Sequence, residues 1–232
     1  MPTPKSETYI SVEFPSLPDE EAAENTAGGG RRGDCTGDRV PLTVLMPPDG
    51  VVTTLASNPT IYWFIPESTA TTAEFIIVDA EGNDVYTNTI EPPASSGLVK
   101  LQLPESVALN YGESYEWQLT LFCSTQTAER ELITGSESIT GKLQRIQLTE
   151  EQQAELAAIA NQSESAPQLI AAAERYAEYG LWQEALTTLE QLRQSDPDLG
   201  MQEWTELLNS VGIEAPEIVE ATVVGAVEPG TP

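Results

Sequence analysis

The sequence predicts a β-sandwich followed by a small all-α helical segment. Three observations predict this fold class. Residues 40–148 contain about seven short apolar runs separated by Pro, Gly, Asn, Asp and Ser, as in an all-β domain. One run, YEWQLTLFC, alternates apolar and polar residues with the period of two of a half-buried strand. After Leu148 the apolar period changes to about 3.6, which is typical of amphipathic helices.

Residues 1–34 are predicted to form a flexible N-terminal arm. They are rich in Pro, Glu, Ala and Gly, and the run AGGGRRGD shows neither the helix nor the strand period. Arg32, Gly33 and Asp34 spell an integrin-binding tripeptide, but a match of three residues arises readily by chance. We interpret this run as a basic, glycine-rich segment that precedes Cys35.

Residues 35–148 are predicted to form the sandwich. About seven antiparallel strands in roughly 110 residues favour immunoglobulin-like topology. The strand segments are PLTVLM, TIYWFIP, AEFIIVDA, DVYTNTI, GLVKLQLP, SYEWQLTLF and ESITGKLQRIQL. Trp63 and Trp117 are the largest candidates for the core of this domain.

One segment of this domain resembles a metal site. Asp79, Glu81, Asn83 and Asp84 place four oxygen-bearing side chains around Gly82, as a calcium loop would. The segment lacks the spacing and the terminal glutamate of an EF-hand loop. A hairpin turn explains the same residues without a metal, because Gly and Asn accept positive φ. We predict the turn and keep calcium binding as the alternative.

Residues 149–212 are predicted to form a helical domain, and residues 213–232 an irregular tail. Thr149 and Gln152 have the spacing of a capping box that starts a helix through residue 160. Apolar residues at helical spacing predict three more helices, over 166–179, 182–194 and 201–211. The run from Asn161 to Ser163 fits a glycosylation acceptor and also a polar turn between helices.

Two of these helices resemble one tetratricopeptide repeat. The positions that carry the resemblance are Ala173, Tyr176, Gly180, Ala185 and Pro197. Small residues let two antiparallel helices approach closely. Helix packing alone therefore explains these residues, without a bound peptide. No second copy is visible, and fewer than three repeats do not normally form an array with a peptide groove. Packing of the hairpin on its own chain is therefore favoured, with binding of a peptide or partner helix as the alternative.

Composition excludes several classes of function. The chain has no histidine, which excludes Ser-His-Asp and Cys-His nucleophiles and every zinc site with a histidine ligand. Its net charge of -27 repels phosphate backbones and anionic lipid, so we expect no nucleic-acid partner. No run approaches the ~20 apolar residues of a spanning helix, so we expect no membrane insertion. No cofactor is predicted.

Without histidine, Asp and Glu are the abundant groups left for acid–base catalysis. Pairs such as Glu113 and Glu116 would suit a glycoside hydrolase, but they cannot be distinguished from solvated strand residues in a chain with 37 carboxylates. We therefore predict no catalytic residue. The predicted function is a non-enzymatic, extracytoplasmic protein-interaction or structural module with a protein partner. A calcium-dependent structural protein and a carboxylate-based polysaccharide hydrolase are the alternatives.

Cys35 and Cys123 are the only cysteines. They fit a structural disulfide, two buried unreactive thiols, or a reactive thiol beside the arginines that surround Cys35. The opening residues lack the basic start, apolar run and cleavage site of a secretory signal. The expected location is periplasmic or extracellular if a signal peptide precedes this sequence, and cytoplasmic otherwise.

Several segments in order resemble a known family: GGGRRGDC, PLTVLMPPDG, FIIVDAEGNDVY, YEWQLTLFC, YGLWQEALTTLEQLR and WTELLNSVGIE. They are similar to the cyanobacterial domain-of-unknown-function family number nine hundred and twenty-eight, from about Gly28 to Glu214. Members usually begin with a signal peptide, so the resemblance implies an exported protein. The two cysteine positions of the family correspond to Cys35 and Cys123, which implies a disulfide between them. The resemblance implies no activity and no catalytic residues.

Overall fold

The computed structural model describes residues 11–15, 30–32, 35–36, 40–126, 132–160 and 165–227. Within these ranges the chain forms two β-sheets and five helices. The strands are β1 Gly30–Arg32, β2 Thr43–Val44, β3 Val51–Thr54, β4 Thr60–Ile65, β5 Ala70–Val78, β6 Asp84–Ile90, β7 Gly97–Gln102, β8 Ser114–Gln126, β9 Leu132–Arg145 and β10 Val223–Val227. The helices are α1 Glu150–Ala160, α2 Ala166–Glu178, α3 Trp182–Ser195, α4 Pro197–Ser210 and α5 Pro216–Val219.

The larger sheet has the strand order β1-β9-β8-β5-β6, and β3 also pairs with β9. The smaller sheet has the order β10-β7-β4-β2. Each predicted strand segment overlaps one of the strands β2 or β4 to β9, and β5, β8 and β9 extend beyond their segments. The pairs β3–β9 and β10–β7 are parallel, which differs from the antiparallel prediction. They can be parallel because β3 and β10 reach their partners from distant parts of the chain, not through a hairpin.

The two sheets face each other across one apolar core. The Trp63 ring on β4 lies 5.0 Å from the Phe75 ring on β5 and 6.3 Å from the Trp117 ring on β8. Trp63 and Trp117 are buried, which confirms both as core residues. Gly141 on β9 makes room for this packing, because a Cβ there would lie 2.5 Å from Cζ2 of Trp117.

The smaller sheet is covered on its other face by the helices. β4 is apolar at almost every position, which is typical of a strand buried on both faces. Tyr62 points away from the core, and its hydroxyl donates a hydrogen bond to Glu190 on α3. Trp182 at the start of α3 donates its Nε1–H to the carbonyl of Leu45, 2.8 Å away. The chain therefore has three layers, with α3 on the smaller sheet.

The helix starts follow local capping chemistry. Thr149 N donates to Gln152 Oε1 at 2.9 Å, and Gln152 N donates to Thr149 Oγ1 at 3.3 Å, which confirms the capping box. α4 begins at Pro197, four residues before the predicted start at residue 201. The Asp196 carboxylate accepts from Leu199 N, and proline is favoured in a first helical turn, so the helix starts there.

The described parts of the predicted arm and tail contain structure that the sequence does not predict. The predicted irregular tail contains α5 and β10, and β10 extends the smaller sheet. In the predicted flexible arm, residues 11–15 pack on the helices and β1 pairs with β9. The other residues of the arm and residues 228–232 lie outside the described ranges. Among the described helices, none is both long and apolar enough to cross a bilayer.

Candidate functional site

The outer face of the larger sheet is open to solvent. Alternate residues of β8 point outward, and Glu116, Gln118 and Phe122 are exposed. The outward residues Ile76 and Val78 of β5 are half-buried. We call the outward side chains of β5, β8 and β9 the open face. Since the helices cover the smaller sheet, the open face is, within the described ranges, the broad β surface that is accessible to a ligand.

A groove of about 510 Å³ lies at one end of the open face. Strand pairing builds it, because Asp84, Val78, Glu116 and Lys142 are successive register partners across β6, β5, β8 and β9. Asp49, in the turn before β3, also lines it, and its carboxylate accepts from Val51 N at 3.0 Å. We call this cavity the acidic groove.

The acidic groove combines charge with apolar surface. Three carboxylates, those of Asp49, Asp84 and Glu116, share its wall with the single ammonium group of Lys142. Ile76 and Val78 supply apolar surface between them. This arrangement fits a cationic group carried on an aliphatic stem, such as an arginine or lysine side chain.

A second cleft of about 830 Å³ lies between the smaller sheet and α3. Glu190 accepts from the Tyr62 hydroxyl at 2.5 Å and from Lys100 Nζ at 2.7 Å. Gln194 Nε2 donates to the same carboxylate at 3.2 Å. Burial, and then the hydrogen bond to Glu190, raise the pKa of Tyr62. Because both carboxylate oxygens already have donors, this cluster acts as an anchor for α3.

Glu184 is a second anchor of α3. Its Oε1 accepts from Thr54 Oγ1 at 2.8 Å and from Leu55 N at 2.7 Å. Burial raises the pKa of this carboxyl above its usual value of 4.5, although both hydrogen bonds act in the opposite direction. The Glu184 carboxyl therefore holds its proton more tightly in the folded chain than in the unfolded chain. The resulting stability is complete below the usual pKa and is lost as the pH rises through the raised value.

We therefore expect Glu184→Gln to gain stability relative to the wild type when the pH is raised from about 4 to about 8. Glutamine keeps an acceptor for Thr54 and Leu55 and removes the buried charge. Urea unfolding at the two pH values measures the effect. Glu91→Gln, at an exposed loop position, is the control for removal of one negative charge. An equal stability difference at both pH values would contradict this account of Glu184.

The segment around Gly82 forms the predicted hairpin turn between β5 and β6. Gly82 has φ 83°, and its N–H donates to the Asp79 carbonyl. The Asp79 carboxylate accepts from the backbone of Glu81 and Asn83 and from Asn83 Nδ2. These hydrogen bonds lower the pKa of Asp79, and the bond from the Asn83 side chain has the largest effect. Asp79 is thus used by the turn, and Asp84 lies in the acidic groove instead.

The other sequence candidates are separated in the structure. Glu113 accepts from Asn110 Nδ2 at 2.9 Å and from the Tyr115 hydroxyl at 3.0 Å, whereas Glu116 lines the acidic groove. Of the integrin-like tripeptide, Arg32 belongs to β1, and residues 33 and 34 lie outside the described ranges. The glycosylation acceptor at residues 161–163 also lies outside them.

The predicted disulfide is confirmed. Cys35 and Cys123 are bonded, with their Cα atoms 5.4 Å apart, and both residues are buried. The Cys35 carbonyl accepts from Thr69 N at 2.9 Å, and Thr36 Oγ1 donates to the buried Glu137. The bond therefore attaches the segment after the arm to β8 at the centre of the larger sheet.

Sequence reasoning missed the acidic groove and the buried glutamates. A signal existed for Glu190, because Lys100 interrupts an apolar run in β7, and a half-buried lysine on such a strand favours a nearby carboxylate. No comparable signal existed for the groove, because Asp49, Asp84 and Glu116 are far apart in sequence. They resemble the other exposed acidic residues of the chain until the strand register is known.

The fold and the groove define a β-rich, disulfide-bonded protein with a helical layer. The family model described as Domain of Unknown Function (DUF928) matches residues 27–223, and the chain belongs to this family. No curated protein matches the chain. A solved structure titled "pT26-6p" is similar with 11% sequence identity and a TM-score of 0.32. The similarity covers 71% of this chain and 44% of that one, so this chain spans less than half of that protein's length.

Proposed function

We propose that this protein is a non-enzymatic, extracytoplasmic interaction module that binds a basic segment of a partner protein in the acidic groove. The observation that carries the proposal is the row of Asp84, Val78, Glu116 and Lys142 on an otherwise open sheet face. An excess of carboxylates over ammonium groups favours a cationic partner, and the apolar wall favours one with an aliphatic stem.

The disulfide supports the extracytoplasmic part of the proposal. Structural disulfides persist in oxidising compartments and are rare in the reducing cytosol. The Cys35–Cys123 bond is buried and connects residues 88 apart in sequence, which is the character of a structural bond. The cyanobacterial origin and the signal peptide implied by the family resemblance belong to the same proposal.

We further propose that the two sheets form an immunoglobulin-like sandwich. The strand orders β2-β4-β7 and β6-β5-β8-β9 support this topology, as does the parallel pairing of β3 with β9. The tetratricopeptide-like character of the α2–α3 hairpin is a proposal of the same kind. Its support is the fully buried Ala173 and Ala185 between the helices and the positive φ of Gly180 at the turn.

Binding of defined peptides tests the proposed function. The probes are a nonapeptide with a central Leu-Arg-Leu sequence and the same peptide with Leu-Glu-Leu. We expect the arginine peptide to shift backbone NMR signals of residues 76–78, 116–118 and 140–142, and the glutamate peptide to leave them unchanged. Equal shifts from both peptides, or shifts confined to the helices, would refute the acidic groove as the binding site.

A charge variant sharpens this test. The double change Asp84→Asn and Glu116→Gln is expected to weaken arginine-peptide binding roughly fivefold to tenfold, because each of the two exposed ion pairs contributes about 0.5 to 0.7 kcal/mol. Glu74→Gln, on the same sheet but outside the groove lining, is the matched control and should leave the affinity unchanged. Isothermal titration calorimetry measures both affinities. A double variant that binds as tightly as the wild type would contradict the proposal.

A further inference from the structure

A short segment of the N-terminal arm is bound to the helical layer by backbone hydrogen bonds. Val12 N donates to Glu203 Oε2 at 3.0 Å, and Phe14 N donates to Ser210 Oγ at 2.9 Å. Both acceptors are side chains of α4. N–H groups two residues apart point to the same side in an extended chain, so the segment uses its backbone as a bound peptide strand does.

Two side chains of the segment pack against the helices, Val12 as a buried residue and Phe14 as a half-buried one. Val12 is completely buried, and the Phe14 ring meets the Trp182 ring of α3 edge to face, with the centroids 5.2 Å apart. Glu13 between them is exposed. The apolar side chains provide selectivity and the backbone bonds provide orientation, which is the division of roles in extended-peptide recognition.

The acceptor for Val12 is unusual because it is a fully buried carboxylate. Glu203 is completely buried, and its Oε1 has no hydrogen-bond partner among the described residues. Burying a carboxylate is costly unless N–H donors reach it. Burial, and next the charge of Glu203, raise the pKa of the neighbouring Glu174. The Val12 N–H is thus the donor that reaches this carboxylate among the described residues, and helix packing itself supplies none.

We propose that α4 and the start of α3 form a binding site for an extended peptide, and that the arm segment is its occupant in cis. The partner in trans is a segment with an aliphatic residue followed, two positions later, by an aromatic residue, as in Val12 and Phe14. Such a segment exchanges with the arm. This site is separate from the acidic groove and does not depend on the function proposed for it.

The test uses the full chain with a specific protease site in place of residues 20–25. The protein is folded, cleaved and separated from the released arm. The probe is a fluorescent peptide of residues 7–19, and its anisotropy reports binding. We expect saturable binding to the cleaved protein and binding at least roughly tenfold weaker to the uncleaved chain, because the tethered arm competes at a high effective concentration.

Matched peptides define the specificity. The double change Val12→Asp and Phe14→Ser in the peptide should abolish binding, whereas Glu13→Gln should have no effect. Absence of saturable binding to cleaved protein that keeps its circular dichroism spectrum would overturn the proposal. Equal binding of the double-variant peptide would do the same.

A second measurement decides the case in which the cleaved protein unfolds. The uncleaved chain is labelled with fluorophenylalanine, and its Phe14 signal is assigned with Phe14→Leu. An excess of unlabelled peptide of residues 7–19 should move this fluorine signal to the position of the free peptide. A Phe14 signal that stays unchanged at saturating peptide would show that the arm is a fixed part of the fold and would overturn the proposal.

Discussion

Replacement of Cys35 and Cys123 together with alanine is expected to lower the free energy of unfolding by roughly 4 to 5 kcal/mol. The bond closes a loop between residues 88 apart, and the loop-entropy model assigns most of its effect to the unfolded chain. Alanine is the appropriate replacement because both positions are buried. Unfolding in guanidinium chloride, followed by tryptophan fluorescence, measures the loss.

The local contacts of Cys35 indicate which part of the double variant should open first. Without the bond, the segment keeps the Thr36–Glu137 hydrogen bond, the bonds from Thr69 to the Cys35 carbonyl and the bridge between Thr36 and Ser68. We therefore expect faster amide exchange at Thr69 before any change at Trp63. Reduction of the wild type is the control and should reproduce the stability of the double variant. A loss below about 1 kcal/mol would show that the bond contributes little.

Gly200→Ala is expected to destabilise the protein by about 3 kcal/mol or more, because the new methyl group has no space. A Cβ at Gly200 would overlap the backbone N and Cα of Arg193 and lie 2.7 Å from the carbonyl carbon of Leu192. α3 and α4 cross at this point, and backbone atoms cannot move aside as a flexible side chain can. Thermal and urea unfolding measure the change.

The sign of this effect makes the test sharp. Glycine inside a helix normally costs about 0.5 to 1 kcal/mol relative to alanine, so helix propensity alone predicts that Gly200→Ala stabilises the protein. Gly225→Ala on β10 is the control, because a Cβ there meets only Val99 Cγ2, at an ordinary distance of 3.9 Å. A Gly200→Ala protein as stable as the wild type would refute the close helix crossing.

Much of the β architecture could be predicted from the sequence because its signals are local. The alternation in β8 identified a strand with one buried face, and Trp117 is buried as expected. The nearly continuous apolar run of β4 reflects burial between the larger sheet and α3. The turn at Gly82 also followed from residue types, because Asp79 and Asn83 supply the bonds that close it.

The features that were missed depend on contacts between distant residues. β10 reads as an irregular tail until its pairing with β7 is known. The arm segment around Val12 has no periodic pattern, and its binding depends on Glu203, 191 residues away. The acidic groove likewise depends on strand register. A shift by one residue would move Glu116 to the other face of the sheet.

The central claim is that the oxidised pair Cys35–Cys123 attaches the N-terminal segment to the larger sheet. The most direct test is alkylation of the protein purified from the organism that makes it. The protein is denatured in iodoacetamide without a reductant, and its intact mass is measured. The account predicts that neither Cys35 nor Cys123 is modified unless a reductant is added first. Alkylation of both cysteines without reductant would contradict the account.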